Sequence, residues 1–232
     1  MSFSLKELLN QRHSCRAFLP TPVPREDIET LLNAARRAPS GANLQPGMFH
    51  VYTGHPLRQL TEELSRYSET HPAEPLQYDY FPQPMPQFLK QRQREAGYAL
   101  YQALGIEKRD IAGRRRQFSA NYRFFDAPVG IVVTINNDMG AGCYMDLGMS
   151  LMSLFLAATE LGYGSCGIGA LANYGQYVHQ YLELPNHQQV VCGIALGRPK
   201  SDAPVNGFRT QREPLDNFAR LHGFDNPQEE QA

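Results

Sequence analysis

Residues 12–16, Arg12-His13-Ser14-Cys15-Arg16, place two guanidiniums, an imidazole and a hydroxyl within five positions. Arginine's planar fork of donors matches phosphate oxygens and serine adds another donor, so the chemistry on offer is anion binding. A surface loop of the same composition would also be ordinary. A second cluster is Ala38-Pro39-Ser40-Gly41-Ala42-Asn43-Leu44-Gln45-Pro46. The amides of Asn43 and Gln45 each present a donor and an acceptor, which suits the mixed edge of a heterocycle. Alone it reads as a turn, because Pro, Ser, Gly and Asn are common turn formers. A third stretch, Gly162-Tyr163-Gly164-Ser165-Cys166-Gly167-Ile168-Gly169, reads as a Gly-rich turn that permits close backbone approach to a ligand or positive φ. The cysteines at 15, 143, 166 and 192 form no CxxC pair and the histidines no HxxxH pair, so no metal site is expected. The thiols read as small buried hydrophobes, with Cys166 the one to watch.

Regular elements must position these clusters. Ser4 followed by Glu7 is a capping box, starting a helix that ends near Arg12 and delivers the first cluster at its C-terminus. Pro20 to Pro24 is an extended connector. Ile28, Leu31, Leu32 and Ala35 then mark an amphipathic helix closed by Pro39, which delivers the second. Met48 to Thr53 alternates as a strand, and Leu57, Leu60 and Leu64 mark a further helix. From Tyr67 to about Arg92 periodicity disappears in a proline-rich excursion whose Tyr78, Tyr80, Phe81 and Phe88 suit a lid. Residues 93–125 look helical, and the basic run at Lys108, Arg109 and Arg114 to Arg116 reads as a solvated face. Pro128 to Ile135 is a buried strand. Behind Asp146, Leu147 to Leu161 is apolar on nearly every side, and such a helix needs enclosure by the core or by a second subunit. Val190 to Leu196 is the last strand, and the tail from Pro199 to Ala232 has apolar spacing only at Leu215, Phe218 and Leu221.

The chain has 232 residues and a formal net charge of −1, which suits one α+β domain spanning 1–232 and makes nucleic acid a poor default partner. The uncharged run between Asp146 and Glu160 is shorter than the roughly 20 residues of a membrane span, so no membrane helix is expected. Glu7 falls where a signal peptide would be apolar, which favours a cytoplasmic location.

In order, RHSxR, PSxxNxQP from Pro39, the apolar helix behind Asp146, the Gly-rich turn and Arg212-Glu213-Pro214-Leu215 resemble the FMN-dependent nitroreductase family, of the NAD(P)H:flavin oxidoreductase type. The resemblance spans about Leu5 to Gly223, interrupted by the 67–120 excursion. It implies a nitroreductase-like fold, a central, mainly antiparallel sheet flanked by helices, in an intertwined homodimer with FMN at the subunit interface. Arg12, Ser14 and Arg16, with His13 between them, would reach the phosphate, ribityl chain and pyrimidine side of the flavin. Pro39, Ser40 and Asn43, with Gln45, would line the ring and ribityl chain from the other subunit. Backbone N–H groups at Ile168 and Gly169 would lie near flavin N5, and Arg212 would join Arg12 at the phosphate, with Arg209 a weaker candidate. The 67–120 region would cover the flavin as a lid, and the 199–232 extension would embrace the partner subunit.

Reduced flavin is negative around N1 and O2, so a cation held there stabilises it, and Arg16 is the residue expected to do so. Arg16 in a mere surface ion pair would contribute only ~0–1 kcal/mol. The resemblance implies hydride transfer from NADH or NADPH to a small nitroaromatic or quinone-like acceptor, both using one pocket in turn. A reductive dehalogenase, a flavin-fragmenting enzyme and a non-catalytic flavin-binding protein are the alternatives. No GxGxxG follows a strand, so nothing selects between the two nicotinamides. Gly47 stands where many relatives carry Trp after QP, and Asn121 is a further candidate ring contact.

Overall fold

The computed structural model describes residues 3–224. Its helices and strands follow in the order α1 (Leu5–Gln11), α2 (Arg25–Ala35), β1 (Met48–Thr53), α3 (Gly54–Thr70), α4 (Gln87–Ala103), α5 (Ile111–Ser119), β2 (Val129–Asn136), α6 (Ala141–Glu160), β3 (Gly164–Ile168), α7 (Gly175–Tyr181), β4 (Gln188–Gly197), α8 (Pro204–Gly207) and α9 (Leu215–Phe218). The strands form one sheet in the order β1-β2-β4-β3 with every pairing antiparallel.

Strand alternation sends the two faces of this sheet to two cores. Val129, Ile131, Val133 and Ile135 of β2 pack with Ile194 and Leu196 of β4 against Ile28 and Leu31 of α2 and Leu147 and Leu154 of α6. On the other face Val132 and Ala195 meet Leu57, Leu60 and Leu64 of α3 and the fully buried Phe124. The Phe124 ring fits because the sheet is bare beneath it: a Cβ on Gly193 would lie 2.9 Å from the ring, and one on Gly130 3.1 Å.

Three expectations need correction. The Gly-rich stretch is not a turn throughout, since residues 164–168 form β3, paired along its length to β4. Only Gly162 has positive φ there, at 74°. The glycines serve close approach instead, because a Cβ on Gly164 would lie 2.7 Å from Cys15 Sγ. Secondly, the excursion is shorter than its composition implies. Tyr67 still belongs to α3, and α4 begins at Gln87, leaving 71–86 irregular. Of the basic run, Lys108, Arg109, Arg115 and Arg116 are exposed as read, whereas Arg114 is half-buried, 5.0 Å from the Tyr101 ring centroid, and ties α5 to α4. Thirdly, α6 starts at Ala141 and takes Asp146 into its body, and within a single protomer it is enclosed on one side only. Leu147, Ser150, Leu154 and Ala158 are buried, whereas Met145 is 71% and Met149 40% exposed. Among the described residues α6 is long and apolar enough, by length and composition, to cross a membrane. Here its inner side packs on α2 and the sheet.

The irregular segment is pinned along the molecule. Glu74 N donates to Asn173 O at 2.8 Å, and the Glu74 carboxylate accepts from Gln176 N (2.8 Å) and Tyr177 N (3.1 Å) at the start of α7. Tyr78 donates to Val191 O at 2.6 Å. An anionic cap on orphan N–H groups contributes about 0.5–2 kcal/mol. Glu74→Ala is therefore expected to lower Tm by about 1–8 °C, at ~2–4 °C per kcal/mol for a chain of this size. A melting curve unchanged from the parent would remove the cap from the account.

Candidate functional site

α1 stops at Gln11, and the chain that follows is held straight by its neighbours. Cys15 N donates to Ser165 O at 2.9 Å, Leu19 N to Arg198 O at 2.8 Å, and Lys200 N to Ala17 O at 3.0 Å. Cys15 is fully buried against Gly164, so alternation turns Ser14 and Arg16 the other way. Buried Asn206 locks this strip to the tail. Its Oδ1 accepts from Arg16 N (2.8 Å), and its Nδ2 donates to Ala17 O (2.8 Å) and Lys200 O (2.9 Å). Nothing around Asn206 in the sequence marks it.

The strip and the tail enclose a cleft of about 270 Å³, to which Arg12, His13, Ser14 and Arg16 contribute opposite Phe208, Arg209, Thr210 and Arg212. Arg209 stands in this cleft as fully as Arg212 does, although its spacing marks it less. Burial and the facing charges of Arg212 and Arg209 push the Arg12 guanidinium below its ordinary pKa. Among the described residues no carboxylate lines the cleft, so the mutual repulsion is uncompensated within the protein. Arg209 is aimed by bonds from Nη1 to Asn206 O (2.9 Å) and Phe208 O (3.0 Å), and Arg212 by bonds from Nη1 to Thr210 Oγ1 (2.6 Å), Gln211 O (3.1 Å) and Thr210 O (3.2 Å). The Arg16 guanidinium donates to Ser14 O at 3.3 Å and lies 5.9 Å from the Phe125 ring centroid. His13 Nδ1 bonds Gln11 O at 2.8 Å, while its Nε2 is buried without a partner. Such a cavity is built to receive an anion.

The second cluster lines a different cleft of about 300 Å³, where Pro39, Ser40, Gln45 and Gly47 face Asp146 and Ser150 of α6. Its loop turns through positive φ at Ala42, Asn43 and Gln45. Ser40 Oγ accepts from Gln45 N at 2.9 Å, and the Asp146 carboxylate accepts from Gly41 N at 3.0 Å. Asn43 sits on the exposed part of the loop, outside the cleft lining. The two clefts share no lining residue, so one protomer alone does not bring the two motifs together.

Ile168 ends β3, Gly169 follows it, and neither lines either cleft. Tyr80 covers them: a Cβ on Gly169 would lie 2.7–2.8 Å from its ring and hydroxyl. Asn121 is turned back on its own segment, donating to Phe118 O at 2.7 Å. Cys166 is not a reactive thiol. It is buried in β3 and burial raises its pKa, as it does for Cys15, to about 11, and Cys192, to about 12.

Comparison with known proteins identifies the chain's family. The model of the nitroreductase family matches residues 9–198. A 4-nitrobenzoate reductase of Pseudomonas putida is 36% identical over 92% of this chain and 93% of its own length. Among solved structures, the FMN and NADPH-dependent nitroreductase NfnB of Sphigopyxis sp. strain HMH superposes with a TM-score of 0.92 at 36% identity, covering 96% of this chain and 100% of that one. The FMN-dependent NfnB of Mycobacterium smegmatis, solved with NADPH, superposes with a TM-score of 0.87 at 28% identity over 93% of this chain and 96% of its own. The chain therefore belongs to the nitroreductase family.

Proposed function

We propose that the protein is an FMN-dependent oxidoreductase that draws hydride from NAD(P)H and reduces nitroaromatic or quinone-like acceptors, working as a homodimer. The observation that carries this reading is the cleft in which Arg12, Arg209 and Arg212 converge with no carboxylate between them, beside an imidazole nitrogen with nothing to bond. Both features fit a phosphate-bearing cofactor. FMN, when bound, supplies an N5 position that accepts hydride and passes it on.

The chain's residues then divide the work. Arg12, Arg209 and Arg212 hold the phosphate, with Ser14 as a further donor. Arg16, whose backbone is fixed by Asn206, presents positive charge to the pyrimidine edge of the ring. Pro39, Ser40, Asn43 and Gln45 come from a second copy of the chain, docked along the open flank of α6. Tyr80, edge-on to Phe81 at 4.7 Å, caps the end of β3 and narrows the approach to the ring, so it bears on which acceptors enter. Ile168 and Gly169 offer backbone donors beneath it.

Purified protein is expected to be yellow, to bleach anaerobically with NADPH or NADH, and to regain colour on adding a nitrobenzoate. Initial rates at several fixed acceptor concentrations should give parallel double-reciprocal lines, because donor and acceptor occupy one place in turn. Lines that intersect would refute alternate occupancy, and colour that does not bleach would leave only a flavin-binding protein.

A further inference from the structure

His13 is the member of the arginine cleft whose bonding is incomplete. A carbonyl oxygen only accepts, so the contact to Gln11 O at 2.8 Å puts a proton on Nδ1 and leaves Nε2 as a bare acceptor. That nitrogen is buried and meets no donor. The charges around it are Arg12 and Arg16 of its own strip and Arg209 of the tail, with Arg212 on the same wall. α1 adds only the uncharged Leu9 and Asn10. Burial first, then these guanidiniums, hold the imidazole below its ordinary pKa and therefore neutral.

Resting on the FMN assignment and adding to it, we propose that His13 makes the cleft select a dianionic phosphate monoester. As the phosphate seats among the arginines, Nε2 takes up one proton from solvent, keeps it, and hydrogen-bonds through it to a phosphate oxygen. The balance is neutral imidazole plus a proton giving imidazolium; no covalent bond to the phosphate forms or breaks and nothing is oxidised. Two negative charges reverse the field that kept the ring neutral, and a phosphate oxygen supplies the missing partner. FMN's monoester carries both charges above its second pKa of about 6. In FAD each phosphate has one ester and one anhydride bridge and carries a single charge, and riboflavin has no phosphate, so neither places a doubly charged terminal group against Nε2.

The linkage has a definite sign. The occupied site has the higher His13 pKa, so FMN binding takes up a proton between the empty-site and occupied-site values and tightens as pH falls through that window. Ultrafiltration of FMN-loaded protein between about pH 6.5 and 8.5 measures this directly. The expected result is log Kd rising with pH, with a slope approaching one proton, and a flat profile for riboflavin bound to the same protein. In His13→Asn the FMN profile should flatten, and the preference for FMN over riboflavin should fall about tenfold. A flat profile in the parent, or an unchanged slope in His13→Asn, overturns the inference while leaving FMN binding intact. Failure to retain FMN at any pH overturns the cofactor assignment and this inference with it.

Discussion

Arg12→Ala should lose most of its FMN on gel filtration, whereas Arg16→Ala should stay yellow and become harder to reduce. A charge-assisted bond to phosphate contributes about 1.5–3 kcal/mol, so the first substitution raises Kd roughly 10- to 150-fold. The empty protein adds a second signature. Arg12 is held against Arg209 and Arg212 with no carboxylate among the residues lining the cleft, so its removal relieves repulsion. The cofactor-free variant should therefore melt at or above the parent's temperature, and the FMN-loaded variant below it. Arg16 faces a different part of the ligand. Losing its charge beside the pyrimidine edge should lower the two-electron potential by roughly 20–40 mV, on the scale of about 30 mV per 1.4 kcal/mol. Potentials equal to the parent's would remove Arg16 from the tuning role. FMN retention equal to the parent's in Arg12→Ala would place the phosphate elsewhere.

Local chemistry was legible in the sequence wherever the cause is local. The Ser4–Glu7 capping box forms as spaced, with Ser4 N donating to the Glu7 carboxylate at 2.7 Å and Glu7 N donating to Ser4 Oγ at 3.3 Å. The apolar face of α2 buries Ile28, Leu31 and Ala35. β3 was not legible, because a strand of Gly, Ser and Cys shows no apolar alternation and is held by backbone pairing to β4 and by the fit of Cys15 over Gly164. The start of α4, 87–92, escaped into the excursion for the opposite reason: none of the helix's residues is buried, so no apolar stripe fixes where it begins, although 93 onward reads as helical. The site was half legible. The two motifs are contiguous in the chain, but Asn206 lies 190 residues from the Arg16 backbone it fixes, and only the fold joins them. The expected meeting of the motifs across two subunits also has no local signature. What the protomer offers is two clefts that do not meet and a helix, α6, with one open flank.

Gly47→Ala is expected to be the most destabilising methyl group that can be added near the site. Gly47 has φ of 104°, outside the small left-handed region that other residues visit, and a Cβ there would lie 2.5 Å from Leu147 Cδ1. Leu147 is 1% exposed and is packed in the core between α6 and the sheet, so it has no room to swing away. Strained backbone costs about 1–3 kcal/mol and overpacking a similar ~1–3 kcal/mol, which together lower Tm by roughly 4–24 °C. Gly47 and Leu147 are thus matched positions: the Leu147 side chain fills the space that a Cβ on Gly47 would need. Gly54→Ala is the milder comparison, since φ there is 57°, inside the left-handed region, and no atom lies within 4 Å of the added carbon, leaving a smaller conformational cost and no clash. Leu147→Ala in the Gly47→Ala background should recover the clash and not the backbone strain. The damage should also reach the ligand. Asp146, next to Leu147, holds Gly41 N at 3.0 Å, and Gly41 begins the loop that carries Asn43 and Gln45. A displaced Leu147 therefore moves the second motif, and FMN retention should fall in Gly47→Ala but not in Gly54→Ala. Equal loss of Tm in the two variants would mean that Leu147 yields freely and that Gly47 is kept for its backbone alone.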